Sequence, residues 1–211
     1  MGGAAVTSAL GWVAAAVGTW SALAQYVRLR RRGTQGVSLT TWTLLGILAV
    51  FWVLYGVAVR SWPLALSSAL TLPFQSMIWW RLRPTTRTGT VVGSTGAAVV
   101  CCLAPGLLWG WSGAVVGAGG AGIISRLPQL SRLVRTRTTV GVSTGSWALG
   151  AAVSAMWVAY YARSRLWAVL VVTAVAGTLS LVIAVVSQWR QRRSPATSAS
   201  HARAVGAESA T

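Results

Sequence analysis

Acidic side chains are almost absent: Glu208 is the only one in 211 residues, and lysine does not occur at all. Charged residues make up 9% of the chain, against roughly a quarter in a soluble domain. That leaves too little charge to cover a water-facing surface, and it removes the groups that general acid–base catalysis positions. Cys101 and Cys102 are the only cysteines, adjacent in an apolar stretch. Neighbours on one helix point apart and do not easily bridge, so the pair reads as small packing residues. His201 is the one histidine, close to the end of the chain. No metal-ligand cluster, phosphate-binding loop, nucleophile elbow or zinc-protease motif occurs. The expectation is therefore no catalysis, no metal and no cofactor.

Apolar runs and arginine fill the space. The chain is 55% hydrophobic, all 18 basic residues are arginine, and the net charge is +17. In a soluble protein such charge points to nucleic acid. Here the arginines lie between apolar segments, so membrane lipids with anionic headgroups are the expected partners and nucleic acid is not.

A spanning helix needs about 20 mostly apolar residues. Seven such segments are predicted, near 6–27, 41–59, 63–80, 90–108, 111–133, 146–162 and 166–189. Residues 191–211, rich in Ser and Ala and polar, read as a disordered cytoplasmic tail. Arginines in short loops set the orientation. Those at 28–32, 81–87, 132–137 and 190–203 fall on one side, whereas Arg60, Arg163 and Arg165 fall on the other. The expected topology is N-terminus outside, C-terminus cytoplasmic. The first segment has its arginines after it rather than before, the reverse of a signal peptide, so no cleavage is expected. Arginine-only basicity with much Ala, Gly and Val suggests a GC-rich bacterial genome, hence a plasma membrane.

The chain also states one pattern twice. Gln25 matches Gln129 at an offset of 104, and after a one-residue insertion the offset is 105 for Gly36/Gly141, Ser38/Ser143, Trp42/Trp147, Trp52/Trp157, Tyr55/Tyr160, Arg60/Arg165 and Trp62/Trp167. Three segments, one unduplicated segment and three more segments place both copies in the same orientation, as parallel repeats about an axis along the membrane normal. The expected fold is all-α, seven transmembrane helices. Residues 1–87 are the first triple-helix repeat, 88–110 a linker helix, and 111–190 the second repeat.

This layout resembles the SWEET sugar facilitators and the wider PQ-loop superfamily over about residues 5–190. The second copy carries Pro128-Gln129, Arg132, Arg135, Gly141-Val142-Ser143, Trp147, Trp157 and Tyr160. The first copy departs at one place, with Ala24 before Gln25. The resemblance implies two triple-helix bundles with a solute site near mid-membrane between them, and alternating access without a dedicated energy source.

Thirteen tryptophans are mostly accounted for by interfacial belts, which leaves Trp20, Trp52 and Trp157 at depth. Trp52 and Trp157 are repeat mates, and a buried indole offers a ring face and one N–H to a sugar. They are expected to line the solute path, with core packing as the plainer alternative. The resemblance makes Tyr55 and Tyr160 an outer gate. Ser68, Thr71 and Gln75 form a polar stripe, and Thr173 is the mate of Ser68. Ser68, Thr71 and Thr173 are expected to hydrogen-bond the solute, although such hydroxyls often bond only their own helix backbone. Ser68 and Thr173 stand where sugar-carrying relatives have Asn. Gln25, Pro128 and Gln129 mark an inner gate, because proline weakens a helix locally. Arg126 is expected to snorkel to the inner interface. Gly113 and Gly117 form a small-xxx-small packing step.

The reading is an uncoupled, facilitative transporter of a small neutral polar solute, sugar-like above all, since proton coupling would need a membrane acid. The alternatives are a PQ-loop-type carrier of amino acids or another metabolite, or a non-transporting receptor or scaffold, a role that the superfamily's KDEL receptor exemplifies. Homo-oligomerisation stays open.

Overall fold

The computed structural model describes residues 2–32, 39–82, 88–127, 130–131, 133 and 144–193. All regular structure among the described residues is helical, and six elements have defined bounds. They are α1 (Gly3–Arg32), α2 (Leu39–Ala58), α3 (Trp62–Leu82), α4 (Thr88–Ile124), α5 (Thr144–Arg163) and α6 (Trp167–Arg193). Among the described residues, three stretches are long and apolar enough to cross a membrane: Gly3–Ala24, Thr95–Ile124 and Trp167–Arg192; Trp42–Ala58 is a shorter apolar helix. Large apolar side chains lie bare on the outside, Leu107 being 86% exposed and Trp20 67%. A surface of that kind is what a bilayer, not water, solvates. The chain is a membrane protein.

The predicted segments at 90–108 and 111–133 are one 37-residue element with a break. Trp109 and Gly110 leave the helical region there, Gly110 at φ 61° and ψ −148°, a conformation only glycine takes without strain. The two arms fold back on each other. A Cβ built on Gly113 would strike the carbonyl oxygen of Pro105, and one built on Gly117 that of Cys101. The small-xxx-small step thus lets two backbones touch.

The second arm is interrupted at Ser125 and Arg126 and is helical again at Leu127, Leu130, Ser131 and Leu133, so helix reaches the predicted end at 133. Arg126 N–H bonds the carbonyl of Ile123, three residues back, and the Ser125 hydroxyl donates to Gly122 O at 2.7 Å. Pro128 has no N–H to offer the Ile124 carbonyl, so a regular helix loses a bond at this point. Pro73, by contrast, lies inside α3, which runs on through it.

α3 packs between α1 and α2, and α6 packs between α4 and α5. The two trios meet through α1 against α5 and α2 against α4. Shifting α1, α2 and α3 onto the second arm of α4, α5 and α6 reproduces this set of contacts, so the repeat register holds in three dimensions.

The register reaches individual bonds. α2 ends with Arg60 N–H on Val57 O and Ser61 N–H on Gly56 O; α5 ends with Arg165 N–H on Ala162 O and Leu166 N–H on Tyr161 O. This pairing is a Schellman cap, whose C′ residue must be left-handed. Glycine usually takes that place, but here it is Arg60 at φ 54° and Arg165 at φ 57°.

Candidate functional site

Between the two trios lies a cavity of about 280 Å³. Trp52 on α2 and Trp157 on α5 both line it, and so do three further repeat pairs at the 105 offset: Ala49/Ser154, Leu64/Val169 and Thr71/Ala176. Trp20, the third tryptophan expected at depth, faces outward. One helical turn along from each cavity tryptophan stands a tyrosine in matching geometry. Trp52 and Tyr55 rings are 5.9 Å apart at 82°, and Trp157 and Tyr160 rings 5.6 Å apart at 83°. Edge-on contacts of this kind fix ring orientation and contribute about 0.5–1.5 kcal/mol beyond area.

Tyr55 and Tyr160 do not line the cavity. They are buried at its end nearer the α2–α3 and α5–α6 turns, in a cluster with Leu64, Val115, Tyr161, Val169 and Val172. Trp111 and Phe51 close the α2/α4 side, their rings 5.7 and 6.1 Å from that of Tyr55. The cavity is therefore sealed at this end by aromatic packing. One polar bond crosses the seal: Ser61 Oγ and Tyr160 OH are 2.8 Å apart and buried. Ser61 begins α3, its carbonyl accepting from Ala65 N–H at 3.0 Å. A serine there ordinarily caps its own helix; this one also reaches the opposite trio. Nearby, Arg163 Nε donates to Thr7 Oγ1 at 2.8 Å, and its Nη2 to Gly3 O at 3.0 Å, tying α5 to α1.

Of the expected solute-binding residues, Trp52, Trp157, Thr71 and Thr173 line the cavity; Ser68 does not. The 3.6-residue period puts Ser68 on the face of Leu64, Thr71 and Gln75, but its side chain is the shortest of the four. The Thr71 hydroxyl donates to Ser68 O at 2.8 Å, which leaves its lone pairs facing the space. Gln25 belongs to α1. Pro128 and Gln129, the expected inner gate, lie outside the described residues, as do the Gly-Val-Ser loops and the tail from 194.

Arg126 departs from its expected place. It lies on the cavity wall, and its Nη1 donates to Gly122 O one turn back, so the guanidinium points away from the arginine-rich end instead of snorkelling toward it. A carbonyl freed by the break in the helix draws it inward. Its Nε is buried without a hydrogen-bond partner, and so is Oε1 of Gln75, another lining residue. Tyr161, stacked on Trp157 at 5.4 Å and 17°, also lines the space. Its repeat mate is Gly56, so the duplicated pattern carried no sign of it.

No protein-family model matches the chain, and no curated protein matches it.

Proposed function

We propose that the chain is a facilitative transporter for a small, sugar-like polar solute, working by alternating access in a plasma membrane. In this reading it has seven spans. The two arms of α4 cross separately, the first as a linker, and two like-oriented trios of helices face each other. The arginine-rich loops are cytoplasmic and the α2–α3 and α5–α6 turns external. The layout resembles the SWEET family, and the observation that carries the proposal is the cavity itself. Two repeat-mate indoles stand on its walls, at the interface of the two trios, with an aromatic seal at the end nearer the α2–α3 and α5–α6 turns.

Its size suits one sugar ring, at the low end of the about 300–1,000 Å³ of small-molecule pockets. Trp52 and Trp157 would hold an apolar ring face, and Thr71 and Thr173 would bond hydroxyls. Tyr55 and Tyr160 would form the outer gate, with Gln25, Pro128 and Gln129 the inner one. Movement is downhill, because the chain has no carboxylate in any apolar segment to relay a proton.

Uptake of labelled monosaccharides by proteoliposomes tests this. Changing Trp52 and Trp157 together to Ala should lower uptake by roughly tenfold or more, since each removes ring contacts of up to about 1.5 kcal/mol. Trp20→Ala should stay within about twofold, as an outward-facing residue would. Equal effects at all three positions would remove the site assignment.

A further inference from the structure

The donors and acceptors on the cavity wall are not matched to a neutral sugar. Arg126 presents a guanidinium whose buried Nε has no partner, and Gln75 presents a buried Oε1 with none. Thr71 has already spent its proton on Ser68 O, so it too can only accept from a solute. The wall therefore offers one permanently charged donor and at least three acceptors, since Ser154 has likewise given its proton to Gly150 O, beside the Thr173 and Tyr161 hydroxyls and two indole faces. Among the described residues there is no acidic side chain, so none of them places a carboxylate near the guanidinium. A neutral sugar would satisfy the acceptors with its hydroxyls and leave the charge uncompensated in a low-dielectric wall. A phosphorylated sugar would bring more negative charge than one guanidinium balances. A monocarboxylate matches it one to one, with the short charge-assisted bonds that arginine forms with carboxylates.

We infer that the solute is a sugar acid, a single ring whose hydroxyls donate to Gln75 and Thr71 and whose carboxylate is held by Arg126. The inference rests on the transport reading above and replaces its neutral solute with a monoanion. Arg126 is thereby the specificity-determining residue of the site.

Glucuronate and glucose share a pyranose ring and differ in carrying a carboxylate or a hydroxymethyl group, which makes them the probes. The full chain, in proteoliposomes with potassium and valinomycin setting the voltage, should take up glucuronate at least ~10-fold faster than glucose, the factor carried by hydrogen bonds to a charged group. An inside-positive potential should speed glucuronate uptake and leave glucose unchanged, a readout that needs no variant. Arg126→Gln should lower the ratio of glucuronate to glucose uptake ~10-fold or more. Arg126→Lys should keep part of the activity, and circular dichroism of both variants reports their fold. Glucose carried in preference to glucuronate, or glucuronate uptake indifferent to voltage and to Arg126→Gln, would overturn the inference and leave the transport reading standing. Uptake of neither sugar by folded, reconstituted protein would overturn both.

Discussion

Tyr160→Phe isolates the one buried polar bond across the aromatic seal. The substitution keeps the ring and its contacts with Trp157 and Tyr161, and removes only the hydroxyl 2.8 Å from Ser61 Oγ. Ser61 is 5% exposed, so in the closed state its hydroxyl would be left without that partner and out of reach of water. Such a loss costs about 1–3 kcal/mol. Opening the seal hydrates Ser61, so the penalty falls on the closed state alone, and the open fraction should rise by roughly 5- to 150-fold. A cysteine at Thr173, on the cavity wall, would report this in a background with Cys101 and Cys102 changed to Ala. Its labelling by a membrane-impermeant thiosulfonate added outside cells should accelerate by that factor. Ser61→Ala should act similarly, by orphaning the tyrosine. The double variant Ser61→Ala with Tyr160→Phe should return toward the parent rate, because removing both partners leaves nothing unsatisfied. Labelling unchanged in both single variants, with folded protein, would refute the assignment of this bond as an outer latch.

Two further outcomes concern stability. Arg60→Gly and Arg165→Gly relieve a left-handed conformation that costs a non-glycine residue about 1–2 kcal/mol, offset in part by glycine's looser unfolded chain. Each should raise the melting temperature of the purified protein, whereas Arg60→Ala should not. Gly113→Ala and Gly117→Ala should sharply lower the yield of folded protein in size-exclusion chromatography, since a methyl group there strikes backbone of the facing arm. Gly120→Ala, with open space around it, should be tolerated.

How much could be read beforehand follows from what a repeat encodes. Trp52, Trp157, Tyr55 and Tyr160 were legible because each has a mate, and the mates came out in the same geometry. The helix ends near 60 and 165 were legible for the same reason, down to the paired backbone bonds. Features without a mate were lost. Tyr161 stands opposite a glycine in the pattern, and Ser61 opposite Leu166, so neither drew notice. Depth along a helix is a matter of counting residues, but direction around it is not. Trp20 is exposed on the outside, a direction its expected depth does not set, and Arg126, expected to snorkel to the inner interface, lines the cavity. Ser68 failed on reach: periodicity names a face, not how far a side chain extends from it. The break at Ser125 and Arg126 came from local bonds, the Ser125 hydroxyl and the tight Arg126 turn, which a hydrophobicity window does not weigh.

The two seams between the trios are unlike in kind. Where α1 meets α5, the halves are fastened by Ser61 with Tyr160 and by Arg163 with Thr7 and Gly3. On the mirrored seam, Leu166, Ala58 and Trp111 occupy the positions of Ser61, Arg163 and Thr7, and none of their side chains could repeat those bonds. Phe51, Tyr55 and Trp111 meet there ring against ring. Directional bonds release abruptly, whereas oily rings shear with little resistance. On the transport reading proposed above, the halves should therefore swing about the ring-packed seam like a door on its hinge, not part down the middle.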